Sequence, residues 1–291
     1  MTTRRDTVPT SVDGVLEKSI HDIDIPPRPL VIDQISAEMR REMPDLRNVA
    51  QLISRDVSLA AGLIKTANSP YFGFATRARS VYEALAMLGL GVTSRAIAAI
   101  SLRGAFPNSA HYERFWHASA EIAALSGWLS QQIISPRIRA DDAYTFGLFR
   151  DCGIVILLRR FPEYQGILEK ANHDADNPFT DSEQAALPTD HTVVGCLLAQ
   201  NWWLPDDICQ AIRHHHRLNT LDEQTIQLPL PSRRLIAVAQ TAEYLVQQIT
   251  GGSRTEEWKK MGPSCLHLLG LDEALLTSFF PEAEKLLATI A

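Results

Sequence analysis

Only four cysteines occur in 291 residues, and none forms a C-x-x-C pair, which excludes a zinc ribbon and a redox dithiol. Cys152, Cys196, Cys209 and Cys265 stand far apart among apolar residues, the setting of reduced, buried thiols. No run of about 18 uncharged apolar residues is present, so no membrane partner is expected. The opening residues, Met1-Thr2-Thr3-Arg4-Arg5-Asp6, lack the apolar core of a secretory signal, and a cytoplasmic protein is the expectation. Positive charge is scarce: 28 Lys and Arg against 34 Asp and Glu leave a net charge of -6, with no global drive toward nucleic acid. Also missing are a Walker loop, a dinucleotide glycine fingerprint and a Gly-x-Ser-x-Gly elbow. Sustained period-2 alternation is absent too, so the fold class expected is all-α.

What is present is helical periodicity. Leu30, Ile32, Ile35 and Met39, then Leu46, Val49, Leu52 and Ile53, read as two short amphipathic helices. Asp56 is placed to cap a third, which Asn68-Ser69-Pro70 must end. Ser80-Val81-Tyr82-Glu83 has the form of a capping box, and Gly89 can terminate the helix it starts. Another helix follows from Gly91 to about Phe106, and Pro107-Asn108-Ser109 marks the boundary between two lobes. Later helices are expected at about 111–134, 141–160, 162–173, 190–202, 206–217, 232–250, 255–261 and 272–290. The organisation predicted is a loosely held tail (1–24), a first helical lobe (25–107), a second (108–250) and a C-terminal helical extension packed on the second (251–291).

Two passages go beyond generic helices: Arg55-Asp56-Val57-Ser58-Leu59-Ala60 leading to Ala67-Asn68-Ser69, and Ser80 through Leu88-Gly89. With Phe115-Trp116-His117, Gly147 through Phe161-Pro162, His191-Thr192-Val193-Val194-Gly195, Trp203-Leu204-Pro205 and the run ending His214-His215-His216, they resemble the HDOD domain. That is a bacterial signal-output module related to the HD phosphohydrolases, and the likeness covers roughly 25–245. It implies an N-terminal helical bundle specific to HDOD domains and a C-terminal HD-like bundle. It further implies a regulator that commonly lacks the hydrolase residues.

In the HD superfamily, His and Asp donors from several helices hold one or two cations that generate hydroxide and polarise a phosphoryl oxygen. Carried over by motif, His117 matches the first histidine and Asp151 the aspartate of the His-Asp pair. Arg150 takes the place of that pair's histidine, and Gln240 stands where a late helix would offer Asp. A guanidinium offers only N–H donors and a fixed charge. At about 4 Å it would repel a cation by roughly 4 kcal/mol per unit charge at an effective dielectric near 20, about a thousandfold in affinity. No catalytic residue, metal or cofactor is therefore expected, and Arg150 or its partner should fill the cation's space.

The remaining polar groups have plainer readings. His117 shares a helical face with Ala120, Ala124 and Trp128 and reads as a core histidine. Asp151 shares one with Leu148, Ile154, Val155 and Leu158 and must find a histidine or arginine from another helix. His191, following Thr189-Asp190, is either structural or ligand-binding. Adjacent helical residues point about 100° apart, so His215 should face inward and His216 away.

A partner surface is the alternative role for the aromatic loop Tyr71, Phe72 and Phe74 with Arg77 and Arg79; its plainer role is to plug the junction between lobes. Arg95 and Arg103 extend this sparse basic strip toward an acidic partner or phosphate. The function expected is a non-enzymatic signalling module acting on a protein partner. The alternatives are a phosphohydrolase with altered ligands, or a sensor that binds a small phosphorylated ligand such as a nucleotide through Arg150.

Overall fold

A computed structural model of the chain describes residues 23–133, 138–221 and 228–290, and among these the secondary structure is helical throughout. The first lobe contains α1 (Leu30–Met39), α2 (Leu46–Ser54), α3 (Val57–Ala67) and α4 (Val81–Gly104). The expected caps are in place. Asp45 and Asp56 accept backbone N–H groups at the starts of α2 and α3, and Ser80 Oγ accepts Glu83 N–H at 3.1 Å. Gly89 at φ 74° breaks α4 into two segments, a conformation that costs glycine little.

The second lobe runs α5 (Ala110–Gln132), α6 (Ala140–Phe149), α7 (Cys152–Arg160), α8 (Tyr164–Asn172), α9 (Phe179–Ala186), α10 (His191–Asn201) and α11 (Asp206–His214). A 3-10 turn (Leu218–Leu221) leads to α12 (Leu230–Thr250), followed by α13 (Glu257–Leu269), α14 (Glu273–Ser278) and α15 (Phe280–Leu287). Three sequence expectations are corrected here. The helix foreseen at 141–160 is two helices broken at Arg150–Asp151. Residues 179–186 form a helix the periodicity did not announce, being only 8 residues long. The helix expected at 255–261 continues to Leu269, with Pro263 tolerated inside it.

Helix α12 is the axis of the second lobe, packed against α5, α6, α11 and α13, and its buried apolar side chains run from Leu235 to Val246. One apolar core extends through both lobes, from Ile35, Ile53 and Leu85 to Phe146, Val155 and Ile236. The C-terminal helices bury Leu276, Ala283 and Leu287 against Ile122, Leu125 and Leu245, a smaller core of their own. At the lobe junction Tyr71 stacks on Tyr144 with centroids 4.4 Å apart and donates to the Ala140 carbonyl at 2.8 Å. Arg95 of α4 pairs with Asp141 of α6 at 2.5 Å. Tyr71 and Phe72 thus plug the junction, leaving Phe74, Arg77 and Arg79 exposed. Trp202, 2% exposed, donates to the Pro26 carbonyl at 3.1 Å and ties the start of the first lobe to the second.

Candidate metal centre

The break between α6 and α7 sets the site. Asp151 has φ -102° and ψ 12°, outside the helical region, so Arg150 and Asp151 are presented together rather than 100° apart on one cylinder. Across from them the N-terminus of α10 approaches closely. A Cβ on Gly153 would lie 2.0 Å from the His191 carbonyl oxygen, so only glycine allows α7 and α10 to meet there.

Four groups converge in this space. One ligand atom each from Asp151, His191, His215 and His216 lie within 4.8 Å of one another. Asp151 Oδ1 stands 3.1 Å from His215 Nε2 and 3.7 Å from His191 Nε2, and the two Nε2 atoms are 3.4 Å apart. The expectation that His216 faces away is corrected: α11 ends at His214, His215 and His216 lie in the turn beyond it, and their rings pack side by side with centroids 4.1 Å apart. His216 is 4% exposed and stacks on Phe179 at 4.5 Å.

Every Nδ1 in the cluster is committed elsewhere. His215 Nδ1 lies 2.8 Å from the Ile212 carbonyl, which can only accept, so this nitrogen carries the proton. His191 Nδ1 faces both oxygens of the buried Glu183 carboxylate at 2.7 and 2.9 Å, and Glu183 also accepts the Tyr164 hydroxyl. His216 Nδ1 donates to Glu257 at 2.8 Å, with Lys260 behind that carboxylate. The Nε2 atoms of His191 and His215 thereby face one carboxylate oxygen of Asp151, with His216 beside them. This is the outer-shell arrangement that fixes the tautomer of metal-binding histidines.

Lone pairs in such an array repel unless a positive charge lies among them. Burial and the neighbouring His215 push His216 down to about 4, so its ring stays neutral at physiological pH. Burial favours neutral His191 as well, but Glu183 and Asp151 outweigh it and raise its pKa. Desolvation would raise Asp151, yet Arg150 and His215 hold its carboxyl well below the usual range. The cluster thus calls for a proton shared with His191 or for one cation. Donors about 2.1 Å from a single ion at tetrahedral angles are about 3.4 Å apart, which the His191–His215 spacing matches, so the donor set fits one divalent ion.

The other oxygen of Asp151 faces a guanidinium. Arg150, 3% exposed, donates through Nε to Asp151 Oδ2 at 3.0 Å and pairs through Nη2 with Glu243 Oε1 at 2.7 Å. Gln240, 2% exposed, donates to the other Glu243 oxygen at 2.9 Å. The two departures noticed in the sequence therefore belong to one buried assembly, alongside the histidine cluster and not within it. Asp151 joins the two, one carboxylate oxygen on each side. His117 takes part in neither: it is half exposed, 3.6 Å from Glu121, at the wall of a cleft of about 700 Å³. The core reading of His117 is thereby corrected, because its face of α5 borders that cleft.

Four supporting residues escaped the sequence reading: Glu183, Glu257, Glu243 and Tyr164. Glu243 was within reach, three residues beyond Gln240 on the same helical face. Glu183 lies in the short helix that was missed, and Glu257 becomes a partner only through the turn at His216.

Among solved structures, an HDOD domain protein of unknown function from Geobacter sulfurreducens aligns with 96% of this chain and 98% of its own, at TM-score 0.67 and 20% identity. A protein from Shewanella amazonensis SB2B, provisionally described as a phosphohydrolase, aligns over 94% and 97% at TM-score 0.64 and 18% identity. At these identities the likeness is one of fold. An uncharacterized protein of Treponema pallidum (strain Nichols) is 27% identical over 203 residues, 69% of this chain and 39% of the relative, so the chain spans well under half that protein's length. The HDOD domain family matches residues 25–218, two thirds of the chain, and the chain belongs to that family.

Proposed function

We propose that this chain is a regulatory output module that acts through protein contacts, and that its HD-derived pocket holds one divalent cation without turning over a phosphoester. Asp151, His191, His215 and His216 would hold the ion. When bound, such an ion lowers the pKa of a coordinated water and polarises a phosphoryl oxygen. The observation that carries the non-catalytic reading is Arg150. Its guanidinium, buried between Asp151 and Glu243, puts a fixed positive charge beside the bridging carboxylate. Paired-cation phosphoester chemistry needs a second ion to stabilise the attacking and leaving oxygens together. Here that half of the site is a closed salt bridge, which counts against the paired-cation route and leaves the single-ion route to the assay below. The same pairing engages Arg150 Nε and Nη2, which counts against Arg150 as a grip for a phosphorylated ligand although it lines the cleft.

One observation favours the rival reading of a phosphohydrolase with altered ligands: Asp151 and His216 line the open cleft of about 700 Å³. The deciding experiment incubates untagged protein with a generic phosphodiester in Mn²⁺, Mg²⁺ or Fe²⁺. No turnover above a His215→Ala control is expected. Turnover lost in His215→Ala and preserved in Arg150→His would establish the hydrolase instead.

A further inference from the structure

We propose that the first lobe carries a docking groove for an acidic segment of a partner protein, centred on Tyr82. Two depressions, of about 680 and 570 Å³, meet at this residue. Arg47 and Arg55 line the first, Arg77 and Arg79 the second. All four are exposed, and among the described residues none of their guanidinium groups makes an ion pair or hydrogen bond. Arg41, Arg95, Arg103 and Arg159, by contrast, are each paired with a carboxylate. Arg95 and Arg103 therefore drop out of the basic strip read from the sequence, while Arg47 and Arg55 enter it.

Nearby carboxylates do not neutralise the groove. Asp45 and Asp56 accept backbone N–H groups at the starts of α2 and α3, and Glu83 accepts the Arg79 N–H at 2.7 Å. Four unpaired guanidiniums thus surround a tyrosine that is 44% exposed, on a chain whose net charge is -6. The planar guanidinium fork matches a carboxylate, and an exposed tyrosine is a common interface anchor. A duplex or long single strand is the poorer match, because it would extend beyond the four arginines over a chain whose net charge is -6, whereas a short acidic segment meets only the groove. The inference rests on the protein-contact reading above and fails separately from it. Phosphodiester turnover would overturn that reading and leave the groove standing.

The test is fluorescence anisotropy of a short labelled peptide rich in Glu, Asp and Leu, titrated with the full chain at low and physiological salt. Saturable binding that weakens with salt is expected, as is a loss of about tenfold or more in Arg47→Glu/Arg79→Glu. Tyr82→Ala should weaken the binding that survives salt. Reversal of two exposed arginines elsewhere, Arg217→Glu/Arg254→Glu, should leave affinity within about twofold. Thermal unfolding checks each variant, and Arg47→Gln/Arg79→Gln replaces any that unfolds. The proposal is overturned by absence of saturable binding, by equal losses in both reversal pairs, or by tighter binding of a single-stranded oligonucleotide lost in the same groove variant.

Discussion

At the scale of single residues, Arg150 decides what the pocket is. Its partner Glu243 is buried and Asp151 mostly so, and Arg150→Ala leaves both carboxylates without compensation and should cost about 3 kcal/mol in urea unfolding. Adding Glu243→Gln should recover part of that loss; no recovery would show that the salt bridge does not carry the effect. Glu183 acts on the cluster from behind, holding His191 in the tautomer that frees Nε2. Glu183→Gln should therefore weaken divalent-cation binding by about 10–100-fold while leaving all four donors in place, measured by calorimetry. The Arg150 and Gln240 substitutions were legible in the sequence as departures from a hydrolase. Their shared partner was only half legible: Glu243 shares a helical face with Gln240, but it meets Arg150 only because α12 and the α6–α7 break are brought together in space.

At the scale of elements, function follows from where helices stop. Periodicity finds the middle of a helix well and its end poorly, and two ends made the difference here. The break after Phe149 aims Asp151 at the histidines, and the end of α11 at His214 leaves His215 and His216 in a turn beside Asp151. The close contact of α7 with α10 depends on Gly153. Gly153→Ala should separate them, destabilising the fold by about 1–3 kcal/mol and lowering cation affinity in parallel. The caps at Asp56 and Ser80, by contrast, were readable because capping is local chemistry. Between the lobes, the Arg95–Asp141 pair is the element-level clasp. Burial would raise the Asp141 carboxyl, but Arg139 and Arg95 bring it below its ordinary range. Its stabilisation is then present above the unfolded-state value and lost as pH falls through the carboxylate range. Asp141→Asn should cost about 0.5–1 kcal/mol near pH 7 and almost nothing near pH 2, tested by denaturant midpoints across pH.

For the whole molecule, the all-α class and the two lobes were legible because amphipathic stripes repeat throughout the chain. The single core running from α1 through α12 was not, because lobe boundaries read from Pro107-Asn108-Ser109 say nothing about contacts across them. Helix α6 packs both on α4 of the first lobe and, through Phe146, on His215 of the pocket. The account's central claim is that this pocket takes one cation and not two. Calorimetric titration of chelator-treated, untagged protein with Mn²⁺ or Zn²⁺ tests it most directly. One equivalent bound in the wild type and none in His191→Ala/His215→Ala is the predicted result; two equivalents, or no saturable binding, would contradict it.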